Sequence, residues 1–375
     1  MVFITSHFTK NKGTTDYFCE FLEKNNTDYY YLGHPFVDPT LTDSELILFK
    51  SGQKTILTKI PIKNNFILNL INNFITTFRL SFKYKSEIGT FIGVGSFNTI
   101  PLLLAKILSF KSKKVIFYGV DYSRKRFGSW ILNQFYFLTE TFACLLSDKI
   151  VSVTERQNQA RINHHFLNPK KGIVIPNGIQ EVDFNKNFDQ YTKKAFVYIG
   201  SITQQHGIVD FVKSFYIDRN IDFDLHIFGG GPLDSELVNI INSLPESQKS
   251  KIKFYGVKQK LEIIRIIESL ESKLFGIAPY SQSKDSDHVY YGDSLKLKEY
   301  LQLNMPFITT DIVYVDTALK EFGFVYQNIQ ELEIFLKQGI NSFFLDIKLK
   351  NKVLEENFNN SNNLNIPKTR PKLTS

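Results

Sequence analysis

Cysteine is scarce in this sequence, which contains only two Cys among 375 residues. Both of them, Cys19 and Cys144, fall within apolar segments that have helical spacing. This usage argues against a disulfide scaffold and against a zinc site, and it indicates a reducing compartment. The sequence begins with the strand-like run MVFITSHF and lacks the basic-then-apolar layout of a secretion signal. We therefore expect a cytoplasmic protein.

Long apolar runs and arginine-rich runs are also missing. The apolar stretch from Ile100 to Phe110 is interrupted by Lys106 and is too short to cross a bilayer. Without an arginine-rich run or a recognised binding module, nucleic acid is not expected as a partner. No Gly-x-Gly-x-x-Gly motif follows the first predicted strand, which makes a dehydrogenase a poor interpretation.

Basic residues are concentrated in the first half of the chain. Residues 1–190 contain 23 Lys and Arg against 15 Asp and Glu, whereas residues 191–375 contain 22 of each, so the first half carries the whole net charge of +8. A solvated basic face is one interpretation. The other is an anionic partner, such as a membrane surface, a lipid phosphate or an acidic glycan.

The length and the pattern of the chain predict two domains. With 375 residues, 43% hydrophobic and 22% charged, the sequence is typical of a globular protein with more than one core. In both halves, strand-like runs alternate with segments of helical length, which predicts parallel sheets with helices on both faces. We expect an α/β protein with two tandem Rossmann-like domains, residues 1–185 and 190–358, a ligand cleft between them and a disordered tail at 359–375.

The stretch Tyr290–Asp311 in the second half combines several features of an anion site. It is predicted to form a loop containing Gly292, a short helix that begins at Asp293 or Ser294, and a buried strand. Lys296 lies in the first turn of the helix, where a cation opposes the helix dipole unless an anion such as phosphate is bound. An ordinary amphipathic surface helix fits the same pattern.

Three further segments complete a recognisable set: Ile175–Ile179 at the predicted domain junction, Tyr198–Ser201 followed by His206-Gly207, and the turn Gly229–Pro232. Together with the runs SLKLKEYL and MPFI inside the stretch above, they resemble glycosyltransferases of the GT-B fold, and the second half resembles the retaining family 4 enzymes. The resemblance covers nearly the whole chain and is specific in the second half and loose in the first. It implies transfer of a sugar from a nucleotide-diphosphate sugar, with retention at the anomeric carbon.

The same resemblance implies a glycan or lipid-linked acceptor and a role in assembling cell-surface polysaccharide or glycolipid. It implies no cofactor beyond the sugar donor. The diphosphate that leaves gains negative charge in the transition state, so fixed positive groups must surround it. Lys296 and the helix amides are the candidates, and Glu299 matches the acid that holds the ribose hydroxyls in the family. The predicted donor-binding residues are Gly200, Ser201, His206, Gly229, Gly230, Tyr255, Val257, Tyr291, Gly292, Asp293, Ser294, Leu295, Lys296 and Glu299.

Three positions depart from the family pattern. Enzymes of this family place an arginine and a lysine after the first strand of the second domain, where this chain has Ser201 and His206. A hydroxyl and an imidazole can still hydrogen-bond phosphate, although His206 also fits an ordinary loop residue. Tyr291 stands where the first of two signature glutamates is expected, so the sugar is not identified. The glycine turn at Gly229 fits a tight strand–helix connection as well as a donor contact.

In the first half, the segment Val120–Phe127 resembles a loop that faces the acceptor in related bacterial enzymes. Asp121 follows a predicted strand and is a candidate catalytic residue that orients or deprotonates the acceptor hydroxyl, although a turn residue fits equally. Arg126 is a candidate for an acceptor phosphate or a surface ion pair. The other predicted acceptor-side residues are His7, Gly13 and Thr14, near the end of the first strand.

A metal ion is not expected. The segment Asp285-Ser286-Asp287 resembles the acidic pair that binds manganese in the other large glycosyltransferase fold, but that fold has a single-domain plan. Two other interpretations remain, a GT-B nucleotide-sugar epimerase and a catalytically silent partner subunit. The basic first half leaves room for peripheral contact with the inner face of an anionic membrane.

Overall fold

The computed structural model describes residues 1–8, 14–35, 41–63, 65–109, 113–178, 182, 184–219, 222–281, 287–340 and 345–359. The chain divides into two compact units, which meet in sequence between Gly178 and Ile179. The predicted α/β class with two Rossmann-like halves is confirmed, since each unit is built on a largely parallel sheet. The exact domain limits 1–185 and 190–358 stay predictions, and the predicted tail after residue 359 lies outside the described residues.

The first unit contains an eight-stranded sheet in the order β4-β3-β2-β1-β5-β6-β7-β8. Its strands are β1 Val2–Phe8, β2 Tyr29–Pro35, β3 Asp43–Lys50, β4 Gln53–Pro61, β5 Thr90–Val94, β6 Lys114–Gly119, β7 Lys149–Ser152 and β8 Gly172–Val174. Its α-helices are α1 Thr14–Lys24, α2 Phe66–Lys83, α3 Ser96–Leu108, α4 Trp130–Leu146 and α5 Glu155–His164, and a 3-10 turn spans Pro169–Lys171.

One edge of this sheet is antiparallel, which corrects the expectation of parallel pairing. Strand β3 pairs antiparallel with both β2 and β4. Only Ser51 and Gly52 connect β3 to β4, and both have positive φ, +52° and +81°. A two-residue turn of this kind joins antiparallel strands, because a parallel pair needs a crossover of a dozen or more residues.

The second unit contains a six-stranded, all-parallel sheet in the order β11-β10-β9-β12-β13-β14. Its strands are β9 Lys194–Ile199, β10 Asp224–Phe228, β11 Ile252–Phe254, β12 Lys273–Ala278, β13 Phe307–Thr310 and β14 Gly323–Tyr326. Its α-helices are α6 Ile208–Val212, α7 Asp234–Ser243, α8 Glu246–Lys249, α9 Lys260–Ser269, α10 Asp287–Tyr291, α11 Leu295–Gln302, α12 Ile329–Ile334 and α13 Ile347–Asn359, with 3-10 turns at Gln204–His206 and Thr317–Phe322 and π turns at Lys213–Ile217 and Phe335–Gly339.

Alternate residues of β9 enter two separate apolar cores, one on each face of the second sheet. Ala195 and Val197 belong to one core, and Phe196 and Tyr198 belong to the other. This alternation is the two-residue period of a strand that is buried on both faces. It fixes the position of the loop after Ile199, on which the candidate site depends.

Each sheet has one point at which the strand order reverses. In the first unit the chain leaves β1 toward β2 and later returns on the other side of β1 with β5. In the second unit it leaves β9 toward β10 and returns on the other side of β9 with β12. Ligands of open α/β sheets bind at such points, beyond the carboxyl ends of the strands. None of the described helices is long and apolar enough to span a bilayer.

Candidate functional site

The loops that follow β9 and β12 pack directly on each other at the reversal point of the second sheet. The amide of Ser281 donates to the Gln205 carbonyl at 3.1 Å, and its hydroxyl donates to the Gln204 carbonyl at 2.7 Å. Gly207 has φ +64°, and a Cβ there would lie 1.7 Å from the Pro279 carbonyl oxygen. Glycine is therefore required for this close approach, and the two loops form one surface.

Lys296, in the first turn of α11, extends across this surface. Its Cε lies 2.3 Å from the position that a Cβ at Gly200 would occupy. Its ammonium donates to the Tyr198 hydroxyl at 3.1 Å and lies 4.5 Å and 5.3 Å from the ring centres of Tyr198 and Tyr280. The structure thus brings together two of the predicted residues, Gly200 and Lys296, and adds two tyrosines that the sequence analysis did not assign to the site.

The positive charge of the Lys296 ammonium is only partly balanced by nearby negative charge. Burial lowers its pKa to about 7, and the attraction of Glu299 offsets this only in part. In the described part of the chain, Lys296 forms no ion pair with a carboxylate. A lysine that is half-buried beside aromatic rings and lacks a carboxylate partner is poised for an added anion.

The start of α11 offers backbone donors at the same place. Ser294 is the residue before the helix, but its hydroxyl pairs with the Tyr280 hydroxyl at 2.9 Å and makes no side-chain capping bond to the helix amides. Burial raises the pKa of Tyr280 to about 12, so Tyr280 keeps its proton. The first turn contains Leu295 and Leu297 and no acid. The amides and the helix dipole therefore complement Lys296 in attracting an anion.

Asp293 has a structural partner next to this helix. Its carboxylate forms an ion pair with Lys298, and both side chains are largely buried. This pair fixes the approach to α11, and a contact from Asp293 to a sugar donor stays a prediction. Gly292 lies where a Cβ would be 2.4 Å from the His288 carbonyl oxygen. Tyr291 ends the short helix α10, a helix in place of the predicted loop, and its ring stands edge-on to that of Tyr290.

His206 and Ser201 flank Lys296 on the β9 loop. The His206 ring accepts or donates a hydrogen bond with Thr203 Oγ1 at 2.9 Å and lies 5.6 Å from the Tyr280 ring. Burial, followed by repulsion from Lys296 and His288, lowers the pKa of His206 to about 4. The imidazole is therefore neutral at physiological pH in the free protein, and the hydrogen bond predicted from His206 to phosphate would come from the neutral ring. Ser201 is exposed, and its carbonyl accepts from the Tyr198 hydroxyl.

Glu299 lies one turn after Lys296 and is half-buried. Burial raises the pKa of its carboxyl, and the positive charges of Lys260 and Lys296 act against this rise. Its closeness to Lys296 agrees with one continuous donor site on α11. Its role as acceptor for ribose hydroxyls stays a prediction.

The glycine turn after β10 adjoins the β9 loop. Gly229 has φ +138°, and a Cβ there would lie 1.8 Å from the Gly200 carbonyl oxygen. A Cβ at Gly230 would lie 2.8 Å from the side chain of Val257, which is 80% exposed. The amide of Tyr255 already donates to the Ile227 carbonyl, and its ring stacks on Phe228. The predicted contact from Tyr255 to the sugar donor would therefore use its carbonyl and not its amide.

The predicted acceptor-side residues of the first unit converge at the carboxyl edge of its sheet. His7, near the end of β1, pairs with Asn98 at 3.2 Å between Nδ1 and Nδ2. Burial, with a smaller contribution from Arg126, lowers the pKa of His7 to about 4. Arg126 is 3.9 Å from the carboxylate of Asp121, which follows β6 and is 56% exposed. Asn98 was not predicted from the sequence, although its place just after the glycine turn of β5 marks the reversal point.

Thr14 begins α1 and donates to the side chain of Asn177 at 2.9 Å. The contact links the start of α1 to the last residues of the first unit. Gly13, the other predicted residue of this loop, lies outside the described residues. The roles of Thr14 and Gly13 in acceptor binding stay predictions.

A buried ion pair that was not predicted from the sequence supports the Asp121 loop. Arg161 is fully buried, bonds to Glu140 at 2.9 Å and donates to the carbonyls of Gly119 at 3.3 Å and Asp121 at 2.6 Å. Its guanidinium also lies 5.3 Å from the Tyr122 ring centre. One feature of the sequence could have indicated this pair, since Glu140 is the one charged residue in helix α4.

A metal centre is a separate question. Among the residues that the structure describes, no group of three or more His, Cys, Asp and Glu side chains could hold a metal ion. Asp285 and Ser286 of the acidic segment lie outside the described residues. The expectation that the reaction needs no metal stays a prediction.

Solved structures with a similar fold cover nearly the whole chain. A lipopolysaccharide outer core galactosyltransferase, WaaB in its apo form, is 12% identical, with a TM-score of 0.65, and the match covers 96% of this chain and 98% of that one. Trehalose 6-phosphate synthase from Burkholderia multivorans is 10% identical (TM-score 0.64, 97% and 96% covered). Sucrose-phosphate synthase from Thermosynechococcus elongatus is 13% identical (TM-score 0.62, 97% and 94% covered).

Similarity at this level of identity establishes the fold, which is the GT-B fold of two-domain glycosyltransferases. No family model matches this sequence. No curated protein matches it either.

Proposed function

We propose that this protein is a glycosyltransferase that transfers a sugar from a nucleotide-diphosphate sugar to a glycan or lipid-linked acceptor, with retention of configuration. The observation that carries the proposal is Lys296, a half-buried ammonium without a carboxylate partner at the reversal point of the second sheet. The GT-B fold, whose relatives above are named as sugar transferases and synthases, supports the same class of reaction.

Lys296 and the amides that begin α11 would hold the diphosphate. As the bond to the sugar breaks, the leaving diphosphate gains negative charge, and preorganised positive groups stabilise that charge without needing to reorient. The Lys296 side chain fills the space over Gly200, where the absence of a side chain lets the ammonium reach the reversal point of the sheet. A lysine and helix amides can perform this role in place of a divalent ion, so we propose a metal-independent reaction.

The other predicted donor-binding residues would determine how the nucleotide sugar is positioned. Glu299 would accept hydrogen bonds from ribose hydroxyls, and the turn at Gly229 and Gly230 would border the donor. With its Nδ1 paired to Thr203, His206 would donate to a phosphate oxygen from the other nitrogen of its neutral imidazole. In the first unit, Asp121 would orient or deprotonate the acceptor hydroxyl, held in place by the loop that Arg161 supports. We propose that the enzyme works in the cytoplasm on cell-surface polysaccharide or glycolipid precursors.

A binding experiment tests the proposal directly. The melting temperature of the full chain should rise with one of UDP, GDP or ADP, because a ligand that binds only the folded state stabilises it. The variant Lys296→Met should lose this shift, and Lys258→Met, at an exposed position in the same unit, should keep it. Sugar transfer from the matching nucleotide sugar is then measured with and without a chelator. Equal shifts in wild type and Lys296→Met would contradict the proposal, and loss of activity with the chelator would contradict its metal-independent part.

A further inference from the structure

Helix α2 buries polar side chains and exposes apolar ones, the opposite of an ordinary surface helix. Its buried residues are all polar, namely Asn73, Thr76, Thr77 and Ser81. Apart from Arg79 and Lys83, its exposed side chains are apolar: Phe66, Ile67, Leu68, Ile71 and Ile75 are between 46% and 66% exposed. A helix in a water-soluble fold turns its apolar stripe inward, so this arrangement indicates that an apolar medium covers the outer side of α2.

Helices α3 and α4 extend the same apolar surface. Helix α3 packs against both α2 and α4. It exposes Leu104, Ile107 and Leu108, while α4 buries Thr139, Glu140, Ala143 and Cys144. The exposed side chains of α4 are Trp130, Ile131, Leu132, Phe135, Leu138, Phe142, Leu145 and Leu146. We call the exposed apolar side chains of α2, α3 and α4 together the apolar face.

Basic residues predominate around the apolar face, although the exposed carboxylates of Asp121 and Asp148 lie before and after α4. Between Lys63 and Lys114 the sequence holds eight Lys and Arg and a single acid, Glu87. Lys63 precedes α2, Lys83 ends it, and exposed Lys125 precedes α4. Anionic lipid headgroups complement such a border, at about 1 kcal/mol for each basic residue near the surface. A second copy of the same face would bring like charges together, which argues against a dimer interface.

We propose that the apolar face inserts into the interfacial layer of an anionic lipid bilayer, with α2, α3 and α4 lying on the membrane. Exposed Trp130 belongs at the boundary between headgroups and acyl chains, where its amphipathic ring is favoured. The basic residues at the ends of the helices contact the headgroups, and the apolar side chains reach the first part of the acyl chains.

A cavity joins the apolar face to the candidate acceptor side. It has a volume of about 270 Å³, and its lining includes His7, Leu70, Ile71, Phe97, Asn98 and Phe135. Ile71 and Phe135 belong to the apolar face, whereas His7 lies at the carboxyl edge of the sheet. An acyl or prenyl chain can therefore enter from the bilayer and end beside His7. This part rests on the proposed function, for which it selects a lipid-linked acceptor over a soluble glycan.

Trp130 is the only tryptophan of the chain, so its fluorescence reports on the apolar face alone. With the purified full chain, vesicles of phosphatidylcholine and phosphatidylglycerol should shift Trp130 emission to the blue, and lipids brominated in the acyl chains should quench it. Vesicles of phosphatidylcholine alone should bind about tenfold more weakly. An unshifted emission with both kinds of vesicle would overturn the proposal, and equal binding to both would overturn the role of the basic border.

Matched variants distinguish insertion of the apolar face from non-specific hydrophobic adsorption to vesicles. The double variant Ile67→Ser/Leu68→Ser should bind anionic vesicles at least about tenfold more weakly, because two exposed aliphatic side chains no longer insert. Leu261→Ser removes an equally exposed leucine from α9 of the second unit and should leave binding unchanged. Equal loss in both variants, or a blue shift that depends on protein concentration without lipid, would contradict membrane insertion and favour self-association.

The cavity is tested with phosphatidylglycerol that carries a diazirine near the end of one acyl chain. Light should label Leu70 or Phe97 as well as the exposed residues, and Leu70→Trp, which fills the cavity, should remove the label at Phe97 while vesicle binding persists. Labelling confined to exposed residues would overturn the cavity part. None of these three lipid experiments uses a nucleotide sugar, so their failure is distinct from failure of the proposed transfer reaction.

Discussion

The side chain of Lys296 occupies the space above Gly200, where a methyl group would stand 2.5 Å from Nζ and 2.3 Å from Cε. Two elements that are almost a hundred residues apart in sequence meet here, the loop after β9 and the first turn of α11. The lack of a side chain at position 200 is what lets the ammonium reach the reversal point of the sheet. This pair is the centre of the proposed donor site.

Binding of the preferred nucleoside diphosphate should depend on pH through Lys296. In the free protein its pKa is lowered to about 7, mainly by burial. A bound diphosphate raises that pKa, so above pH about 7 binding takes up a proton and the affinity falls by up to about tenfold per pH unit. Below that pH the ammonium is already charged and this dependence ends. Calorimetry in buffers of different ionisation enthalpy measures the proton uptake, and Lys296→Met should abolish it.

Neighbouring groups could imitate this effect, so the comparison needs a second variant. His206, Glu299, Tyr198 and Tyr280 all face Lys296 or lie next to it. With a pKa of about 4, His206 does not titrate in the same range in the free protein. His206→Ala should therefore keep the proton uptake above pH about 7 and lose some affinity. Proton uptake that persists in Lys296→Met would contradict the assignment.

Replacement of Glu299 should weaken donor binding. If its carboxylate accepts ribose hydroxyls, Glu299→Ala removes hydrogen bonds to a charged group, which are worth about 1.5–3 kcal/mol. The dissociation constant for the nucleotide should then rise by about 10- to 100-fold. Glu271→Ala, at an exposed position of the same unit, serves as the control and should leave it unchanged. If Glu299→Ala has the same nucleotide dissociation constant as the wild type, Glu299 does not contact the donor.

Gly229→Ala should destabilise the second unit. The new Cβ would lie 1.8 Å from the Gly200 carbonyl oxygen, and φ is +138°, so either the backbone or the β9 loop must move. We expect a loss of about 2–4 kcal/mol in the free energy of unfolding, together with weaker donor binding. Gly89→Ala, where a Cβ would meet nothing within 4 Å, is the matched control. Denaturant unfolding measures both, and an unchanged midpoint for Gly229→Ala would show that the turn is adaptable.

Asp121→Asn should reduce turnover and spare nucleotide binding. Asp121 belongs to the first unit, whereas every predicted donor residue belongs to the second. Loss of a general base lowers the rate by about 10²- to 10⁴-fold. Steady-state transfer rates and the nucleotide dissociation constant are compared in one preparation. A parallel loss of nucleotide affinity would indicate that the substitution disturbs the fold instead.

Arg161→Leu should be strongly destabilising because it leaves Glu140 buried without its partner. Removal of one member of a buried ion pair costs about 3–5 kcal/mol. The double variant Arg161→Leu/Glu140→Leu should recover a large part of this loss in denaturant unfolding. Lys213→Leu, which breaks an exposed pair with Glu236, should cost less than about 1 kcal/mol. Equal losses for the single and double variants would show that the bonds to the Gly119 and Asp121 carbonyls dominate.

Local sequence patterns determined the elements and the fold class. The alternation of apolar runs and helical segments predicted sheets with helices on both faces in each half, because strand and helix periodicities are local properties. Gly292, Ser294 and the spacing of the leucines likewise predicted that Lys296 lies at the start of a helix. The antiparallel edge formed by β3 and β4 could have been predicted from the Ser51-Gly52 turn.

Only the tertiary structure decided which distant residues share a site. It placed Tyr198 and Tyr280 around Lys296, lowered the pKa of that lysine by burial, and joined Arg161 to Glu140. It also showed that α2 presents its apolar side outward, whereas the hydrophobic period alone reveals a stripe but not its direction. Periodicity is encoded within a few residues, but burial and charge pairing depend on parts of the chain that meet only in the folded sheets.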